Sequence, residues 1–131
     1  MPAPIVRVED VMQPEVLKID GMASAKEAAA MMRTSKVSEL LVAKRNEDDA
    51  WGIVTVTDLV QHVVVPGRDA ESVFVYEIMT KPVITVPAPM DIRYAIRLMQ
   101  QIGIGCAPVE QMGEIVGMIT MVGLILDHDF I

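Results

Sequence analysis

Gly52-Ile53-Val54-Thr55-Val56-Thr57-Asp58-Leu59 is echoed 65 positions later (117 − 52) by Gly117-Met118-Ile119-Thr120-Met121-Val122-Gly123-Leu124. Each copy runs an apolar strand into a threonine and then into the first turn of a helix. Upstream the echo continues at a spacing of 67 (79 − 12), so that Met12 meets Met79, Val16 meets Val83, Ala28 meets Ala95, Met32 meets Met99 and Val42 meets Val109. A chain that repeats itself once predicts two like-folded units, and the clefts they share are the first place to look for a ligand.

Each unit reads strand, helix, strand, strand, helix. In the first, residues 16–19 are a short strand, and Ser24 with Glu27 three residues on forms a capping box for a helix. Ala25, Ala28, Met31, Met32 and Ser35 then follow at helical spacing. Residues 40–43 and 51–56 are strands joined by the polar turn 46–49, and residues 57–64 form a helix stopped by Pro66-Gly67. In the second, residues 83–86 are a strand and Asp91 caps a helix carrying Ile92, Ala95, Ile96, Met99 and Ile102. Gly103 and Gly105 end that helix. A hairpin, 107–110 and 115–120, crosses Met112-Gly113-Glu114, and residues 122–128 are a terminal helix. The expected division is a lead-in over 1–9, a first repeat over 10–66, a linker over 67–76 and a second repeat over 77–131.

With 131 residues, 52% of them hydrophobic, the chain buries roughly two-thirds of its unfolded surface and is no disordered segment. Aromatic residues make up 4% and methionine occurs 11 times, so the predicted core is aliphatic and adaptable. A net charge of −7 argues against nucleic acid and against an anionic membrane surface, because neither phosphate array finds a basic stripe. Cys106 is the sole cysteine, so no internal disulfide forms, which fits a reducing cytoplasm. Residues 1–10 lack the pattern of a signal peptide, and the most apolar run, 117–126, is about half the length of a membrane helix.

These residues together resemble a known family. Asp10-Val11-Met12 and Glu77-Ile78-Met79, each followed by a proline, then the strand-and-helix unit, Ala107-Pro108-Val109 and the closing Gly52-to-Leu59 stretch are similar to the marks of cystathionine-β-synthase (CBS) domains. Over about residues 11–126 the chain looks like a CBS pair, or Bateman module. The resemblance implies an α/β (α+β) fold of tandem β-α-β-β-α repeats, packed about a pseudo-twofold axis with two clefts between them. It implies adenosine-containing ligands there: AMP, ADP, ATP or S-adenosylmethionine. It also implies regulation of a separate enzyme or transporter, with no catalysis by the chain and no required cofactor.

Adenosine needs an apolar slot for the base, an acceptor for the ribose diol and donors for any phosphate. Asp58 offers a carboxylate for the diol, and Thr55, at the strand-to-helix junction, a hydroxyl for a phosphate. Both residue types also simply cap helices. By resemblance they match the family's Ser/Thr-x-x-Asp pair, and the base slot falls to Val83, Ile84, Thr85, Gly105, Cys106, Ala107 and Pro108. Gly105 and Ala107 are small enough to leave room for a ring. The second cleft departs from the pattern, since Thr120 persists but Gly123 stands where the aspartate belongs. Leu17, Lys18, Ser38, Glu39 and Leu40 are expected opposite Thr120, with Glu39 repelling phosphate, so one competent site per chain is expected. Lys81, Arg68 and Lys36 are the nearby cations, few enough to favour a monophosphate or diphosphate over a triphosphate.

Cys106 and His62 lack an orienting third group, so they make no nucleophile pair, and an inert cysteine is expected. His62 and His128 are too few for a zinc site. Trp51 is expected at a sheet edge or partner interface. A homodimer is expected through apolar helix faces around Val60, Val63, Leu124 and Ile125. The competing reading is a docking module that binds no ligand.

Overall fold

The computed structural model describes residues 4–131. Backbone packing divides them into two compact units: a continuous one, Leu17–Val83, and a discontinuous one made of the described residues up to Val16 together with Ile84–Ile131.

In the continuous unit, β1 (Lys18–Ile19) lies parallel to β2 (Glu39–Val42), which pairs antiparallel with β3 (Gly52–Thr55). The register sets Glu39 opposite Thr55 and Val42 opposite Gly52. Strand alternation sends Leu40, Val42 and Val54 into the core. Glu39, Leu41, Ile53 and Thr55 therefore share the other face. α2 (Ala25–Ser35) starts as the sequence predicts, with Ser24 Oγ accepting from Glu27 N at 3.1 Å. Ala25, Ala28 and Met32 bury its inner face. It ends on Lys36 in the left-handed region (φ 58°). At the matching position of the second repeat stands Gly103 (φ 82°), where the missing Cβ makes that conformation easy.

The helix expected over 57–64 is built differently. α3 (Val56–Leu59) passes into a π-helical turn, Val60–Val64, closed by Val65 N donating to Val60 O at 2.9 Å. The wider turn brings Val63 into the core, 6% exposed, and leaves Val60 44% exposed. Local periodicity does not encode that extra residue per turn. α4 (Val75–Ile78) closes this unit by inserting Val75 and Ile78 into the same core, and Ile53 and Thr80 exchange backbone hydrogen bonds of 2.9 Å beside β3.

The hairpin between β2 and β3 is held by Asp49. Its carboxylate accepts from Lys81 Nζ at 2.7 Å and from Arg45 N at 2.9 Å, with the side chain 9% exposed. These bonds, Lys81 first, hold the carboxyl well below the usual carboxylate range. The stabilisation is therefore complete above the unfolded pKa and lost as pH falls toward the depressed folded value. Asp49→Asn is expected to lower the thermal midpoint at pH 7 and to flatten its decline on acidification from pH 5 to pH 2. Parallel melting curves of the two proteins across that range would contradict the assignment.

The discontinuous unit repeats the plan with β4 (Val86–Pro87), α5 (Ile92–Ile102), β5 (Cys106–Gln111), β6 (Glu114–Thr120) and α6 (Met121–Leu126), in the sheet order β4-β5-β6. The hairpin turns at Met112 and Gly113, both with positive φ. α1 (Val8–Val11) belongs here: Val8 and Val11 join Val86, Ile92, Met99, Val109, Ile119 and Leu124 in one core. Gln13 and Met118 exchange backbone hydrogen bonds of 2.8 and 2.9 Å. The Asp10-Val11-Met12 mark thus packs with the second repeat's strands, and Glu77-Ile78-Met79 with the first's. The sequence repeat and the packed unit are different divisions of the same chain.

Candidate functional site

Thr55 ends β3 and caps α3. Its hydroxyl accepts from Asp58 N at 3.3 Å, while Asp58 Oδ2 accepts from Thr55 N at 2.8 Å and from Thr55 Oγ1 at 3.1 Å. A short polar side chain followed three residues later by a carboxylate closes this reciprocal box. Asp58 is half-buried, and Oδ1 accepts no hydrogen bond among the described residues. The pair expected from sequence is therefore brought together with one carboxylate oxygen engaged and one available. Capping and ligand binding are compatible uses of the same group.

The neighbouring strand adds a second carboxyl. Glu39 lies directly across from Thr55, and Ser38 Oγ donates to Glu39 Oε2 at 2.6 Å. Burial pushes the Glu39 carboxyl above its usual range, partly offset by the Ser38 hydrogen bonds.

The matching place in the discontinuous unit carries neither carboxyl. Cys106 stands across from Thr120, and Gly123 follows where Asp58 stands in the first copy. Gly123 N still donates to Thr120 Oγ1 at 2.8 Å, so the cap survives without its acid. A β-carbon at position 123 would fall 2.7 Å from Thr120 Oγ1. Restoring an aspartate there therefore also requires the threonine hydroxyl to move back, as in the first copy, where the equivalent bond is 3.3 Å.

Val83 lies in the continuous unit, its N–H donating to Trp51 O at 2.9 Å. Ile84, Thr85, Gly105, Cys106, Ala107 and Pro108 lie in the discontinuous one. Ile84 is exposed, and Thr85 donates to Glu110 Oε2 at 3.1 Å on the rim of an open depression of about 460 Å³. Pro87, Pro89, Gln111 and Met112 line it too. Gly105 is exposed, with its carbonyl accepting from Met121 N at 2.8 Å, and Cys106 is half-buried. Ala107 corrects one detail: its methyl is fully buried in the unit's own core, so only its backbone can border a ligand. Cys106 and Pro108 alternate onto the opposite face of β5.

Two of the three cations are committed. Lys81 pairs with Asp49 at 2.7 Å and Arg68 with Glu77 at 3.7 Å, while Lys36 is the exposed cap of α2. Trp51 sits at the start of β3 with Lys18 Nζ and Lys44 Nζ 5.1 and 5.7 Å from its ring centroid, a cation–π arrangement the sequence reading did not anticipate. His128 Nε2 lies 3.1 Å from Val11 O. Among the described residues no group of three His, Cys, Asp or Glu is placed to hold a metal, and no helix is long and apolar enough to cross a membrane.

The CBS domain model matches residues 8–65 and 75–127. The chain is 33% identical over 117 residues to the protein MK0525 of Methanopyrus kandleri, covering 88% of this chain and 59% of that protein, so it spans about three-fifths of that relative. It superposes with a TM-score of 0.91 and 35% identity on the hexameric CBS-CP12 protein of bloom-forming cyanobacteria, over 96% of this chain and 70% of that one. It shares its fold (TM-score 0.78, 22% identity, 93% and 94% covered) with the CBS domain pair of protein MJ0100 in complex with 5′-methylthioadenosine and S-adenosyl-L-methionine. CBS pairs are regulatory ligand-binding modules. Two matched copies, each with a threonine-capped helix after its last strand, place this chain in the CBS domain family.

Proposed function

We propose that this chain is a regulatory module that binds an adenosine-containing ligand through Thr55 and Asp58 and passes the occupancy on to a partner protein. The observation that carries the reading is the half-buried Asp58 carboxylate at a strand-to-helix junction, with Oδ1 unengaged. A carboxylate there accepts from a ribose diol, and a neutral side chain does so far less well. Val83, Ile84, Thr85, Gly105, Cys106, Pro108 and the backbone of Ala107 belong to the proposal as the slot for the base. The complex of the MJ0100 pair with two adenosine derivatives supports that ligand class. The chain itself performs no chemistry in this reading, and its target is an enzyme or transporter.

The test is thermal unfolding with AMP, ADP, ATP and S-adenosylmethionine. A specific ligand at a hundred times its dissociation constant adds about 2.7 kcal/mol to the stability of the folded chain. A clear rise of the midpoint with at least one compound is expected. No rise with any of them, on folded protein, leaves the reading without its ligand.

A docking module is the second reading, and exposed aliphatic side chains favour it. Val60, Val64 and Val65 in one unit and Val122, Ile125 and Leu126 in the other are all exposed. Val63 and Leu124, which the sequence reading set on the same dimer faces, are instead buried in their own cores at 6% and 4%. Self-association through the exposed set is part of both readings.

A further inference from the structure

The two threonine caps are built alike but charged differently. Thr55 is flanked by two carboxyls, Asp58 along the helix and Glu39 across the sheet, whereas Thr120 is flanked by Gly123 and Cys106. Neither Asp58 nor Glu39 has an ion pair among the described residues, and of the three nearby cations by sequence reading Lys81 and Arg68 are paired with other acids, while Lys36 is exposed. Three donors beside the threonine are engaged. Val56 N donates to Ser38 O at 2.9 Å, Thr55 N to Asp58 Oδ2 and Asp58 N to Thr55 Oγ1. The position suited by residue type to a phosphate is thus bordered by two carboxyls, Asp58 and Glu39, the latter accepting from Ser38 Oγ. A dianion brought beside these carboxyls is repelled, most strongly where water is partly excluded.

Resting on the adenosine reading above, we infer that the half-site of Thr55, Asp58 and Glu39 selects adenosine derivatives whose 5′ substituent is neutral or positively charged and discriminates against 5′-phosphates. Asp58 supplies the acceptor for the ribose, and Glu39, directly across from Thr55, sets the charge allowed at the 5′ end. Glu39 is a specificity residue here and needs no bond to the ribose.

Adenosine and AMP differ only in the phosphate, so titration calorimetry of the whole chain with each isolates the effect. S-adenosylmethionine, a sulfonium, tests the opposite sign. At pH 7.5 the chain is expected to bind adenosine at least about tenfold tighter than AMP, and S-adenosylmethionine no more weakly than adenosine. Glu39→Gln keeps an acceptor for Ser38 Oγ and removes the charge, so it is expected to shrink the preference for adenosine over AMP to a few-fold at unchanged melting temperature. AMP binding as tightly as adenosine, or a preference untouched by Glu39→Gln, overturns the charge selection while leaving adenosine as the ligand class. Failure of all three compounds to bind overturns the adenosine reading and this inference with it.

Discussion

Gly117→Ala is expected to be among the most damaging single-methyl additions in this chain, lowering stability by about 2–3 kcal/mol and the thermal midpoint by roughly 6–15 °C. A β-carbon at 117 would overlap the Met12 sulfur and lie 2.8 Å from Gln13 O and 2.9 Å from Met12 Cγ. The sulfur could swing aside. The carbonyl cannot, because Gln13 O accepts from Met118 N, the residue next to the new methyl, and Gln13 N donates back to Met118 O. Relief would require α1 to withdraw from β6, taking Val8 and Val11 out of the core. Gly52 is the built-in comparison, since its nearest neighbours are Met79 Sδ at 3.0 Å, Thr80 O at 3.3 Å and Val42 Cβ at 3.3 Å. Those contacts are tight but yield to small shifts, so Gly52→Ala is expected to cost about 1 kcal/mol. Thermal melts of the two variants side by side decide the matter, and a Gly52→Ala as harmful as Gly117→Ala would show that close approach to the Gln13 backbone is not the cause.

Asp58→Ala is expected to weaken the ligand that stabilises the wild type by about ten- to a hundredfold. The side chain has two duties, and they must be separated. Removing it also opens the capping box, since Thr55 N and Thr55 Oγ1 lose their acceptor, at a cost of about 1 kcal/mol in stability. Asp58→Asn retains an amide oxygen for the cap while discarding the charge. It is expected to melt close to the wild type yet bind nearly as poorly as the alanine variant. Calorimetry on both variants distinguishes the outcomes. Affinity equal to wild type in Asp58→Asn would remove the carboxylate from the binding account and leave it a helix cap.

The repeat made most of this architecture legible. Positions that match at 67 or 65 residues become equivalent structural positions: Ser38 O and Gly105 O both accept from the residue after the capping threonine, Val56 and Met121. Capping chemistry also reads directly, because Ser24, Thr55 and Asp91 act within three residues of themselves. What local patterns do not carry is the choice of partner. The Asp10-Val11-Met12 stretch looks the same whichever core it enters, and only the packed chain reveals that Val8 and Val11 join Val86 and Ile119. The π-helical turn escaped for a related reason, since Val60, Val63, Val64 and Val65 are all apolar and the pull of the core on Val63 selects the wider winding. Side-chain alternation along β5 would have identified Ala107 as a core residue.

The discontinuous unit imposes a chronology on biosynthesis. Residues 17–83 leave the ribosome as one uninterrupted stretch and can assemble as soon as they are out. Gln13, made earlier, must wait for Met118, and its side chain for Asp127, 114 positions downstream. α1, made before the continuous unit, therefore completes its docking after it, and a nascent chain stalled before β6 leaves Val8 and Val11 without Ile119 to cover them from chaperones and proteases.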